Sequence, residues 1–176
     1  MKSDKEIVEL FKEDYIKNMT EELKEDGHVS TSFYIGLVED EEKVSVIQVK
    51  TNFQDEEDKE MFSKEGIPMI CKEILRKIKN RRLVFVSMIT EAWMSSLNTQ
   101  TMEKKEKEDV CIVLISEKDG DNICVYRPIY SDFSVNSEGE MTQNISFEKM
   151  IDGDNKDLST VSTNFSDLYK QFDKHF

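Results

Sequence analysis

Histidine is nearly absent: the chain of 176 residues has two, His28 and His175. His28 lies beside a predicted helix end and His175 is penultimate, so neither sits in a triad or a zinc constellation. Most Ser-His, Cys-His and zinc-hydrolase mechanisms are thereby removed. Glycine is scarce as well, with six residues and none clustered. Neither Gly-x-Gly-x-x-Gly nor Gly-x-x-x-x-Gly-Lys occurs, so the loops that cradle phosphates in nucleotide binders are missing. No apolar run approaches the roughly 18 residues of a membrane-spanning helix. Met1 to Asp14 is charged throughout and lacks the apolar core of a secretory signal. The three cysteines, Cys71, Cys111 and Cys124, lie in apolar strings without metal-ligand spacing. They read as reduced core residues of a cytoplasmic protein. Asp152 to Asp157 has the outline of a calcium loop, but Lys156 stands at its fifth ligand position and Asp157 at its glycine position. No cofactor and no metal are expected.

What the chain has in abundance is charge, chiefly negative. There are 37 acidic and 24 basic residues, a net charge of −13. Such a surface repels nucleic acid and anionic lipid at long range and favours basic partners. Lys72 to Arg82 runs against this trend, with six basic residues and Glu73 alone opposing them. The cluster has no aromatic interleaving, so direct nucleic-acid binding is not expected. The cluster is expected to offset nearby acidic loops, or to meet an acidic patch on a partner or on a second copy of the chain.

Residues 4–25 repeat Ile7, Leu10, Phe11, Met19 and Leu23 near helical period, behind Ser3 and Glu6 at capping-box spacing. Phe33, Ile35 and Leu37 alternate, as do Val44 and Val46, which predicts a hairpin with both apolar rows on one sheet face. Asp55 to Glu60 opens a helix, Gly66-Ile67-Pro68 interrupts it, and a second helix follows to about Ile78. Leu83 to Thr90 is apolar on both faces, the mark of a central strand. Residues 94–108 predict a long loop. Val110 to Ser116 and Ile123 to Ile129 form a hairpin about Asp119-Gly120. A tight turn there puts Cys111, Val113, Ile115, Cys124 and Tyr126 on one face. Residues 131–162 are polar, with a short strand near Ile145 and a helical turn near Phe147 to Ile151. A last helix, capped by Asn164 or Ser166, carries Phe165, Leu168, Phe172 and Phe176. The order α-β-β-α-β-β-β-α predicts one α+β domain over 1–176, a mainly antiparallel sheet of about five strands with flanking helices.

Two sets of residues are candidates for function. Glu91 ends the most apolar strand beside Trp93, where a carboxyl can act as general acid or base; the preferred expectation is that Glu91 is the solvent-facing end of the strand and Trp93 closes the core. Trp93 would be a stacking platform and Arg127 an anion clamp, forming a small-ligand or catalytic site at the strand end. The other set is acidic: Glu39, Asp40, Glu41, Glu42, Asp55, Glu56, Glu57 and Asp58 would meet a basic protein. Homo-oligomerisation through the Lys72 to Arg82 helix face is a further expectation.

Val84 to Ser116 carries a strand ending in Glu91-Ala92-Trp93, a polar loop, the charged Lys104 to Asp109 and a second strand. This resembles a loose group of uncharacterised prokaryotic and phage proteins with a strand-ending Glu-Ala-Trp. The loop here has no proline, and Lys107-Glu108 stands where that group has Arg-Glu. The resemblance implies a phage or mobile-element setting and brings no activity with it. The preferred reading is a non-enzymatic acidic protein that binds or inhibits a basic, nucleic-acid-binding protein. The alternative is the ligand site at Glu91 and Trp93.

Overall fold

The computed structural model describes residues 2–39, 43–95, 100–103, 106–154, 165 and 167–176. The chain is α+β, as expected, but the sheet has six strands where about five were predicted. In chain order the elements are α1 (Asp4–Glu25), β1 (Ser32–Val38), β2 (Val44–Lys50), α2 (Glu56–Met61), α3 (Ile67–Lys77), β3 (Arg82–Met94), β4 (Glu108–Glu117), β5 (Gly120–Val135), β6 (Met141–Asp154) and α4 (Leu168–Asp173). The sheet order is β2-β1-β3-β4-β5-β6, and every neighbouring pair is antiparallel.

Each face of the sheet is buried under helices, which explains why β3 is apolar on both sides. On one face α1 lays Ile7, Phe11, Tyr15 and Met19 against Phe85, Ile89, Val113, Cys124 and Tyr126. On the other, α3 and α4 bring Ile67, Cys71, Leu168 and Phe172 to Phe33, Val86, Leu114 and Val125. Phe33, Phe85, Phe172 and Leu168 are wholly buried, each contributing about 1.5–3 kcal/mol by leaving water.

Helix α1 begins at the capping box. Glu6 N–H donates to Ser3 Oγ at 3.3 Å, and Ser3 N–H donates to Glu6 Oε2 at 2.6 Å. Its stripe is Ile7, Val8, Phe11, Tyr15, Met19 and Leu23; Leu10, expected in it, faces outward. The β1–β2 hairpin also departs from expectation. Ile35 pairs with Ile47 and Phe33 with Val49, so Val44 and Val46 lie on the opposite face from Phe33, Ile35 and Leu37. A one-residue difference in register is enough to exchange faces.

Gly66-Ile67-Pro68 does not break the chain's helical path. Residues Phe62–Gly66 form one π-helical turn that joins α2 to α3, with Pro68 in the first turn of α3 where its missing N–H costs nothing. Arg81 and Arg82 leave the helix. Arg82 opens β3 and holds Asp4 with two hydrogen bonds of 2.7 and 2.8 Å.

The β4–β5 turn is tight, Glu117 pairing with Gly120, and the five residues expected on one face do share it. Beyond it lies the largest correction. Residues Met141–Asp154 are a full strand, and the helical turn expected at Phe147 to Ile151 lies inside it. Met150 is an extra residue in the ladder, because Val125 pairs with Ile151 and Tyr126 with Lys149. That bulge turns Met150 and Ile151 to the same side, which in sequence imitates a helical spacing.

Candidate functional site

Glu91 and Trp93 stand two residues apart on β3 and share a face with their partners Cys111 and Asp109 on β4. This is the face covered by α1. Glu91 Oε1 accepts the Val29 backbone N–H at 2.7 Å. The carboxylate therefore fastens the α1–β1 connection to the end of β3. Trp93 is 73% exposed, so it does not close the core as expected, and Lys107 Nζ lies 5.2 Å from its ring centre. Tyr130, which sequence reasoning passed over, belongs to this end of the sheet. Partial burial, then the charges of Glu91 and nearby acidic groups, hold its phenol above the ordinary range.

Arg127 does not join them. It pairs with Glu148 on β6, and its guanidinium reaches Glu148 Oε2 and, at 3.3 Å, Glu108 Oε2. Glu108 stands opposite Met94, the residue after Trp93 and on the other side of β3, so it lies on the face of α3 and α4. Glu91 and Trp93 are thus on one side of the sheet and Arg127 on the other. Strand adjacency put the three near one another in sequence reasoning, but side-chain parity separates them. Among the described residues, no three His, Cys, Asp or Glu side chains converge as metal ligands.

Strands β5 and β6 continue past Arg127 as a two-stranded arm. Ile129, Tyr130, Phe133, Val135 and Met141 are exposed on it. Its tip is set by Asn136, whose Oδ1 accepts the N–H groups of Glu138 and Glu140 at 2.9 Å, and by Gly139 at φ 83°.

The acidic set brackets β2. Glu39 follows β1, accepts from Ser45 Oγ and lies 3.8 Å from Lys43 Nζ. Asp40, Glu41 and Glu42 lie outside the described residues. At the other end, Asp55 caps α2 by accepting the Asp58 N–H at 3.0 Å, and Asp58 accepts the Gln54 N–H at 2.9 Å. Glu56 pairs with Lys59 at 2.7 Å, and Glu57 is exposed. The seven residues of β2 separate the two ends by about 20 Å, so the set forms two acidic poles and not one patch.

Between the poles, β2 is an edge strand of the sheet. Thr51 N–H bonds Thr31 O, and Lys43 O accepts the Glu39 N–H, each at 2.8 Å, so the odd-numbered residues face β1. By alternation, the backbone groups of Val44, Val46, Gln48 and Lys50 face outward. Compared with protein-family models, with curated proteins and with solved structures, the chain matches none.

Proposed function

We propose that this chain is a non-enzymatic, acidic interaction protein whose partner is a basic, nucleic-acid-binding protein. The resemblance of its Glu91-Ala92-Trp93 segment adds a phage or mobile-element setting to the proposal. The observation that supports it is the exposed acidic run Asp55 to Glu57 at one end of the open sheet edge, while at the other end Glu39, paired with Lys43, leads in sequence into Asp40-Glu41-Glu42. A basic partner gains from both poles at once, and carboxylates presented in this way compete with phosphate groups for its lysines and arginines. The alternative site at the end of β3 loses support because Glu91 is engaged by Val29 and Arg127 by two glutamates.

The test is capture of the partner from host lysate, followed by its affinity for purified chain at several salt concentrations. Binding should weaken steeply with salt. The quadruple variant D55N/E56Q/E57Q/D58N, which keeps the capping acceptors, should weaken it about tenfold or more. A partner bound equally well at low and high salt, and equally by the variant, would overturn the proposal.

A further inference from the structure

We infer that the outer edge of β2 takes up an extended segment of the partner as a seventh strand, with alternating apolar residues and lysine or arginine at both ends. This rests on the proposal that the partner is basic, and it names how that partner is held.

The edge is unusually open. Strand β2 is Val-Ser-Val-Ile-Gln-Val-Lys, with no proline and no bulge against β1. Proteins blunt edges that must not pair with proline, bulges or charges pointing inward. The lysines at its ends are already engaged, Lys43 with Glu39 at 3.8 Å and Lys50 with Glu22 at 2.9 Å. Four residues, Val44, Val46, Gln48 and Lys50, direct backbone donors and acceptors away from β1.

A groove accompanies the edge on each face. On the α1 side, Leu10, Asp14, Tyr34, Val46 and Gln48 line one of about 320 Å³. On the α3 side, Ile47, Met69, Ile70, Ile74 and Ile78 line one of about 470 Å³. Leu10, Val46 and Met69 are exposed apolar side chains with no obvious purpose in the fold. An added strand sends alternate side chains to opposite faces, so its apolar residues would all enter one groove and the residues between them the other.

Charge selects the occupant. A second copy paired antiparallel to β2 about a two-fold at Ile47 would set the Glu39 end of one against the Asp55 end of the other. Like charges would then meet at both ends of the new pair. A segment with basic ends meets opposite charge at both.

The probe is the peptide Arg-Lys-Val-Thr-Val-Thr-Val-Thr-Val-Lys-Arg, titrated into the full chain and followed by amide NMR. Val44, Val46, Gln48 and Lys50 amides should shift and gain protection from exchange. Val46→Pro removes one outward N–H and should lower affinity about tenfold or more. Two further peptides decide the matter on the unaltered protein, one N-methylated on its threonines and one on its central valines. Strand addition predicts that one set abolishes binding and the other does not. Equal binding of both sets, no binding of the parent peptide, or self-association through β2 in light scattering would each overturn the inference. Shifts confined to Asp55 to Asp58 would also overturn it while leaving the acidic reading intact. Paired-edge shifts without salt dependence would do the reverse.

Discussion

Asp121 Oδ2 accepts the backbone N–H of Asp167 at 2.9 Å, so a carboxylate from the β4–β5 hairpin sets the chain's entry into α4. The other carboxylate oxygen accepts from Ser116 Oγ, and Ser116 Oγ in turn accepts the Tyr169 N–H at 3.0 Å. Asp167 itself makes no side-chain cap and sits at φ 57°, a left-handed conformation. The cap of α4 is thus supplied from across the fold, by residues some fifty positions earlier.

Asp121→Ala leaves the hydroxyl of Ser116 and the N–H of Asp167 without their acceptor. The expected cost is about 2 kcal/mol, because Ser116 and Asp121 are buried. Amide exchange at Leu168 to Phe172 should accelerate more than exchange in β3. Uniform acceleration throughout the chain would show that Asp121 stabilises the hairpin and not α4.

Gly36 stands beside the ring of Phe85, and a Cβ added there would lie 2.2 Å from Phe85 Cε1. Phe85 is wholly buried and packs 4.7 Å, centre to centre, from Phe11, so its ring has nowhere to go. Gly36→Ala should destabilise the fold by about 1–3 kcal/mol in urea denaturation. Phe85→Leu combined with it should cost less than the two single changes added together. Strict additivity would remove the steric explanation.

Ser87 lies wholly buried in β3, and its hydroxyl has no hydrogen-bond partner among the described residues. Ser87→Ala removes a desolvated polar group without emptying much volume. Stability should be unchanged or higher by up to about 1 kcal/mol. A clear loss in thermal denaturation would reveal a partner for the hydroxyl.

Burial pushes the Cys71 thiol up to about 11 and, with Glu91 and Asp109 nearby, Cys111 up to about 12; Cys124 is raised by burial too. Burial and the charge of Glu22 take Tyr34 up to about 12. The folded chain therefore holds protons that the unfolded chain releases at the ordinary values of 9.0 and 10.0. This stabilisation is intact below pH 9 and is lost as pH rises toward 12. Urea midpoints should fall progressively over that window. Thiol reagents at pH 8 should leave the native protein unlabelled and modify all three cysteines in urea. Rapid native labelling of any one would contradict the burial.

Where a side chain's neighbours are close in sequence, its place could be read directly. The capping box at Ser3 and the Asp119-Gly120 turn specify their elements by short-range chemistry, and the class of the fold followed from them. Hairpin register at Ile35 and Ile47 could not be read, because both candidate rows are equally apolar. Strand β6 was hidden by its own bulge at Met150 and by polar residues on an arm with no core to face. At the candidate sites, the charged poles were visible as composition. Their separation by β2 was not, nor was the parity that divides Arg127 from Trp93. The Val29 contact of Glu91 spans 62 positions, beyond any local pattern. Asn164 and Ser166, the expected caps of α4, lie outside the described residues, and the cap seen comes from Ser116 and Asp121.

The hydroxyls of Tyr15 and Tyr126 meet under α1, 111 positions apart. On the ribosome, α1 is made before every strand of the sheet it packs on, and its apolar stripe has no complete seat until β5 has been made. Until then that stripe is a sticky, half-formed surface. The heavy charge on the outward side of α1 would then matter most before β5 is made, as the solvating coat of a nascent chain.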